Sequence, residues 1–214
     1  MAFTFNPKLI YGISNDGYVI LGDSNYNYAN DNNITDLMIK YKKVQIDDAF
    51  DVPIDFLPNG ITHLNIGESF NQSIDNLPIT LKSLIISKFR NVGYVKFNQP
   101  LDNLPYGLEY LYIDFTYVFD QSLRNLPATL KHFELRNKNY TKNIDVNSFP
   151  DSIETIKIKR VNYDIINRLP ANLKTFNMNS DSADYGNDEE FDPESPEAKF
   201  INRFSGRNID FDIQ

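Results

Sequence analysis

Apolar residues recur along this chain in one local pattern, Leu-Pro-x-x-Leu-x-x-Leu-x-Ile, whose last two apolar positions alternate with polar ones. The pattern runs through Leu57-Pro58 with Ile61, Leu64 and Ile66, then Leu77-Pro78 with Leu81, Leu84 and Ile86. It continues in Leu104-Pro105 with Leu108, Leu111 and Ile113, and in Leu126-Pro127 with Leu130, Phe133 and Leu135. Phe149-Pro150 with Ile153, Ile156 and Ile158, and Leu169-Pro170 with Leu173, Phe176 and Met178, complete the series. An earlier copy without Leu-Pro reads Ile34, Leu37, Ile39. Alternation over so few residues predicts a short strand with one buried face. Such a strand cannot bury its own apolar side. Stacking parallel copies ~4.8 Å apart builds one continuous core, and the prolines fall in the returning segments, outside the ladder. The expected fold is therefore a repeat solenoid over residues 34–179, with seven short parallel strands and irregular or short helical returns.

A second pattern precedes the first by seven residues. It reads Phe50-Asp-Val-Pro-Ile, Phe70-Asn-Gln-Ser-Ile, Phe97-Asn-Gln-Pro-Leu and Phe119-Asp-Gln-Ser-Leu. Stacked at the repeat period, these phenylalanines predict an internal aromatic spine. Asn76, Asn103 and Asn125, each just before Leu-Pro, are expected to bond turn backbone between coils. After Tyr140 the phenylalanine position is taken by Lys142 and Asn162, and the pattern decays.

The run Phe97-Asn98-Gln99-Pro100-Leu101-Asp102-Asn103-Leu104-Pro105 resembles the FNIP repeat, a leucine-rich-repeat variant found in amoebae and giant DNA viruses. The resemblance covers roughly residues 34–178 and is most specific in the copies beginning at Phe70, Phe97 and Phe119. It implies a leucine-rich-repeat-like solenoid. Many members carry an N-terminal F-box and select targets for ubiquitin ligases, so a substrate-recognition role in that pathway is the alternative the resemblance implies. Residues 1–33 do not have the helical, Leu/Pro-rich character of an F-box. Here Leu9–Ile13 and Tyr18–Leu21 flank Ser14-Asn15-Asp16-Gly17, whose Asp-Gly step is a hairpin turn signal. An N-terminal cap over the first coil is expected, because an open solenoid end invites aggregation.

Charge enters the picture mainly at the far end. The formal net charge is −8, and residues 181–198 alone hold eight acidic side chains and no Lys or Arg, so the repeat body is close to neutral. Residues 180–198 read as an acidic linker that cannot bury enough apolar area to fold by itself. Beyond it, Phe200–Phe204 and Ile209–Ile213 regain apolar character. Residues 199–214 are expected either to fold back over the last coil near Thr175–Met178 or to serve as a tethered peptide for a partner's sheet edge.

Residues between the inward strand positions should form ladders on the open sheet face. The first is Asp36, His63, Ser83, Tyr110, His132, Thr155 and Thr175; the second is Met38, Asn65, Ile85, Tyr112, Glu134, Lys157 and Asn177. The third is Lys40, Gly67, Ser87, Asp114, Arg136, Lys159 and Asn179. The middle of this face, Tyr110, Tyr112, Asp114, His132, Glu134, Arg136, Lys157 and Lys159, has the Tyr, Arg and mixed charge of protein-binding hot spots. A competing reading pairs Asp114 with Arg136 and Glu134 with Lys157 as ion pairs that only solubilise the face. Insertions of ten residues after Ile39 and Ile86, both basic and aromatic, are expected on one rim two strands apart.

Other chemistries find little support. The chain has no Cys and only two His, His63 and His132, three strands apart in the ladder, so neither thiol chemistry nor a shared His metal site is expected. No phosphate loop, dinucleotide fingerprint or nucleophile elbow occurs, and no cofactor or catalytic residue is assigned. The rim loops carry too few basic residues to favour nucleic acid. No apolar run nears the ~20 residues of a membrane helix, and no signal peptide is evident. The expectation is a non-catalytic intracellular scaffold, cytoplasmic or in the host cytoplasm if viral, that binds a protein partner through the strand face and rim loops. A self-associating structural component, a homo-oligomer, is a further possibility.

Overall fold

The computed structural model describes residues 11–22, 25–89, 93–116, 118–137, 146, 149–158, 166–177 and 194–212. Among the described residues the chain builds ten strands: β1 (Tyr11–Ile13), β2 (Val19–Leu21), β3 (Lys43–Ile46), β4 (His63–Ile66), β5 (Ser83–Ile86), β6 (Tyr110–Thr116), β7 (His132–Asn137), β8 (Thr155–Ile158), β9 (Thr175–Asn177) and β10 (Asp210–Asp212). They form one sheet in chain order from β1 to β10. Every pairing from β2 onward is parallel, and only β1 and β2 run antiparallel. The protein is a leucine-rich-repeat-like solenoid of parallel strands with irregular returns.

The coils ending on β4 to β7 each supply six inward apolar residues. In the coil ending on β6 they are Phe97, Leu101, Leu104, Leu108, Leu111 and Ile113, all buried. The proline earns its place in the return, where its carbonyl accepts the N–H three residues on and turns the chain into the strand: Leu81 to Pro78, Leu108 to Pro105, Leu130 to Pro127, Ile153 to Pro150 and Leu173 to Pro170. The missing proline N–H is needed by no ladder bond. Three of the four predicted spine rings stack, while Phe50, also buried, meets Tyr28 at 6.0 Å. Phe70 and Phe97 stack at 6.5 Å, and Phe97 and Phe119 at 6.2 Å, with ring planes 12° apart in both pairs.

Side chains tie coil to coil on the far side of the core. Asp51, Asn71 and Asn98 accept, through Oδ1, the backbone N–H of Asn71, Asn98 and Asp120 in the next coil, at 2.8–3.0 Å. Gln72, Gln99 and Gln121 donate to the same three oxygens. Asn76, Asn103 and Asn125 also bridge coils, but they donate to the carboxylates of Asp55, Asp75 and Asp102, not to turn backbone as the sequence reading expects. Each acceptor aspartate sits one coil back, at the repeat position just before the asparagine's, and a charged acceptor outcompetes a carbonyl.

The first repeat copy departs from expectation. Residues 34–39 are not a strand. They lie in helix α1 (Asn32–Tyr41), capped by Asp31, whose Oδ1 accepts the N–H groups of Asn33 and Ile34. Ile34 and Met38, four apart, share the buried stripe of that helix. The helix ends at Lys42 in the left-handed region (φ 60°), and the strand that follows is β3. Asp36, Met38 and Lys40 therefore leave the ladders, and Lys43 and Gln45 face His63 and Asn65 in their place. The insertion after Ile39 is likewise no rim loop, since it supplies the helix end and β3 itself. An aspartate cap three residues before Ile34 outweighs an apolar spacing that fits a strand only loosely.

At the two ends of the sheet the chain turns back on itself. Gly17 (φ 81°) makes the β1–β2 turn, where its N–H bonds to Ser14 O. At the other end, helix α2 (Pro196–Arg203) is capped by Ser195, and β10 runs beside β9 with Asp210 opposite Thr175. Phe200 is fully buried, with ring centroids of Phe204, Phe176 and Phe211 at 5.2, 5.6 and 5.8 Å. Arg203 donates to Ile166 O, and Arg207 donates to the carbonyls of Leu169, Pro170 and Ala171. Among the described residues no helix is long and apolar enough to cross a membrane.

Candidate protein-binding face

Strands β6, β7 and β8 carry the predicted cluster because their inward residues fix the register. Leu111, Phe133 and Ile156 are aligned in the core, so Tyr110, His132 and Thr155 form one outward row and Tyr112, Glu134 and Lys157 the next. Asp114 and Arg136 follow one step further along β6 and β7. Seven of the eight residues expected from the sequence are thus brought onto one surface, and Lys159 lies outside the described residues.

The cluster is organised by rings and charges. Tyr110 and His132 stack with centroids 4.4 Å apart and planes 6° apart. The Arg136 guanidinium carbon lies 5.3 Å from the centroid of Tyr112, a cation–π contact. Arg136 Nε donates to Glu134 Oε1 at 2.6 Å, while its Nη1 stands 3.8 Å from Asp114 Oδ1. Lys157 Nζ lies 3.7 Å, and His132 Nε2 3.5 Å, from Glu134 Oε2. Both ion pairs anticipated across neighbouring strands are present. Glu134 is their hub.

The two carboxylates are less exposed than a solvated face would make them. Glu134 retains 4% of its accessible surface and Asp114 8%. Burial works against ionisation of Glu134, but His132, Arg136 and Lys157 together hold its carboxyl below the usual range. Asp114 moves the other way. Burial dominates there and raises its carboxyl above the usual range, despite Tyr112, Arg136 and Lys88 nearby. The Tyr112 hydroxyl is pushed far up by burial and by Asp114.

A row that the sequence reading missed lines the leading edge of this face. The residue just before each strand alternates in sign along the coils: Lys82, Glu109, Lys131, Glu154, Lys174. Glu109 lies 3.3 Å from Lys82 and 2.8 Å from Lys131, and Glu154 lies 2.6 Å from Lys174. The same charge position at the repeat period was visible in the sequence beside each first inward residue. On the trailing edge, Phe89 and Tyr94 are exposed in the insertion after Ile86, which is pinned by Phe89 N–H to Asp48 Oδ1 and Lys96 N–H to Glu68 O. Among the described residues no group of three His, Cys, Asp or Glu could hold a metal ion.

The FNIP Repeat family model matches residues 50–89 and 119–160. Of solved structures, the chain is similar to CroV588, described as a novel circular LRR protein structure, with a TM-score of 0.34 and 21% identity. That alignment covers 64% of this chain and 27% of CroV588, so the chain spans well under a third of that protein. No curated protein matches.

Proposed function

We propose that this chain, a leucine-rich-repeat-like solenoid whose residues 50–89 and 119–160 match the FNIP Repeat family model, is a non-catalytic scaffold that recognises a protein partner inside the cell through the outward face of β6–β8. One observation carries the reading. Tyr110, Tyr112 and Arg136, of residue types that dominate binding energy at interfaces, stand with His132 as two stacked pairs beside two largely buried carboxylates. Ordinary surface ion pairs do not bury their acids. A rigid parallel sheet holds these side chains without any ordering cost at the backbone, which favours affinity.

The test is affinity capture from the native cell with the wild-type chain and with a Tyr112→Ala, Arg136→Ala double variant. Loss of two hot-spot side chains should weaken partner recovery by at least about tenfold, the scale of a contact worth more than ~1.4 kcal/mol. Full retention of every partner by the double variant removes this face from consideration. Recovery of ligase core subunits would support the substrate-receptor role instead, and light scattering that finds only a homo-oligomer would support self-association.

A further inference from the structure

Strands β6–β8 sort their outward charges by depth. Two acids and two cations stand on them: Asp114, Glu134, Arg136 and Lys157. The Asp114 and Glu134 side chains retain 11% and 6% of their accessible surface, whereas Arg136 retains 40% and Lys157 41%. The leading edge of the same sheet shows no such sorting. There Glu109 at 38% and Glu154 at 40% are as open to water as the cations of the face. Burial of both acids is therefore particular to this patch.

The surroundings sharpen the sign. On one side β5 puts Ser83 and Ile85 outward, and on the other β9 puts Thr175 and Asn177 outward, all uncharged. The next outward acid is Asp210 on β10, two strands past Lys157. Lys88, just beyond β5, acts on Asp114 as a further positive charge. An anion arriving from solvent therefore meets the cations first and the fold's own acids behind them. Coulomb energy falls with separation, so a patch whose formal charges nearly cancel still attracts it. The cations are also held in place before anything binds. Arg136 donates its Nε–H to Glu134 at 2.6 Å with its guanidinium over the Tyr112 ring. Lys157 Nζ stands 3.7 Å from Glu134 Oε2, near enough for charge pairing and beyond hydrogen-bond reach. Two cations fixed in this way lose less freedom when they grip a carboxylate from outside.

We propose that the protein partner docks on this face through an acidic segment, with its Asp or Glu carboxylates set on Arg136 and Lys157 and its apolar atoms against Tyr110 and Tyr112. The inference rests on the reading of β6–β8 as a protein-binding surface and adds the charge of what it binds. Asp114 and Glu134 then have a positioning part. They orient the cations from beneath, and their own burial leaves the accessible layer positive.

A random peptide library selected on the immobilised full chain tests it. Enriched peptides should carry clustered Asp or Glu beside an apolar residue. A synthetic copy should bind at least about tenfold more weakly when those acids become Asn and Gln. It should also weaken as salt rises from ~0.1 to ~1 M, where screening shortens from about 10 to about 3 Å. Lys157→Gln removes one exposed charge without opening the core, and it should weaken the same peptide at least about threefold, the scale of one exposed charge pair. Lys82→Gln, on the leading edge, should leave it unchanged. If the enriched peptides are basic or uncharged yet are lost on the Tyr112→Ala, Arg136→Ala background, this inference falls and the face survives. If acidic peptides bind that double variant and Lys157→Gln as tightly as the wild type, both fall. A single-stranded oligonucleotide that displaces the labelled acidic peptide at lower concentration than its own unlabelled copy overturns the proposal in favour of nucleic-acid phosphates. No enrichment at all overturns it too.

Discussion

Strand β7 presents two opposite solutions within six residues. Phe133 and Leu135 face inward, fully buried among apolar neighbours, with Phe133 meeting the Phe149 ring edge-on at 5.3 Å. His132, Glu134 and Arg136 face outward, where a glutamate with 4% exposure is held by cations and an aspartate beside it keeps an oxygen without a hydrogen bond. The inner side is uniformly apolar and buried, while the outer side leaves polar groups buried and incompletely paired. Local rules are broken chiefly where function competes with stability, so the conflict on the outer side is what the proposed binding role would leave behind. Substitutions on the inner side should therefore cost stability, and those on the outer side should cost it little or even return some.

The largest effect is expected at the spine. Phe97→Ala should destabilise by about 3–5 kcal/mol, the usual cost of a buried Phe truncation, because the rings of Phe70 and Phe119 on either side cannot both collapse into the gap. Chemical denaturation measures it. A cost below ~1 kcal/mol would mean that the core tolerates voids and that the contrast between the two sides is not one of packing quality.

The repeat pattern made this inner side legible before any coordinates, and the reason is physical. A solenoid interior must offer each coil the same cavity, so Leu104, Leu108, Leu111 and their equivalents recur at fixed spacing and betray the fold. The first coil escaped that logic. Asp31 caps a helix there, and Ile34, Leu37 and Ile39 fit the strand template only by accident of spacing. Late coils blurred it as well. Lys142 and Asn162 occupy the spine position in the sequence, and ring mass enters through Phe133, Phe149 and Phe176 at positions that are aliphatic in the earlier coils. On the outer side the register of Tyr110, Tyr112, Glu134 and Lys157 followed directly from the inner pattern. What did not follow was burial: no spacing rule reports that Arg136 folds over Tyr112 and shields the acids beneath.

Between the two sides lies the hydrogen-bonded ladder of the returns, of intermediate worth. Asn98 accepts from the Asp120 N–H at 3.0 Å and from Gln121 Nε2 at 2.9 Å. Asn98→Ala leaves a partly buried N–H without its acceptor and should cost about 1–2 kcal/mol. Asn98→Asp, which keeps the acceptor, should restore most of it. Equal losses in both variants would show that the ladder contributes through something other than these bonds.

Acidification separates the two carboxylates of the outer side. Asp114, raised chiefly by burial, takes up its proton in the folded chain before the unfolded chain does. Its contribution therefore grows more favourable as the pH falls through its folded pKa toward ~4, the ordinary Asp value. Glu134 is held down by His132, Arg136 and Lys157 against the cost of burial, so its contribution is present above ~4.3 and lost as the pH falls below it. The stability difference between wild type and Asp114→Asn, measured by urea unfolding from pH 7 to pH 4, should narrow on the acid side. A constant difference would place Asp114 in an ordinary solvated setting and weaken the contrast on which the outer side was judged.

The smallest effect is expected on the leading edge, where the outer side meets water. Lys82, Glu109 and Lys131 alternate there with N–O distances of 3.3 and 2.8 Å, and all three side chains are substantially exposed. Exposed pairs gain little, because water already solvates each charge and two long side chains must be held still to meet. A double-mutant cycle on Glu109→Gln and Lys131→Gln should show a weak coupling that vanishes near ~1 M salt, where screening acts over about 3 Å. The buried hub at Glu134 should respond far less to the same salt, since its partners lie over a carboxylate that solvent scarcely reaches. If salt erases both couplings alike, burial on the outer side has no energetic consequence, and the face is the solubilising surface that simple ion pairing would make of it.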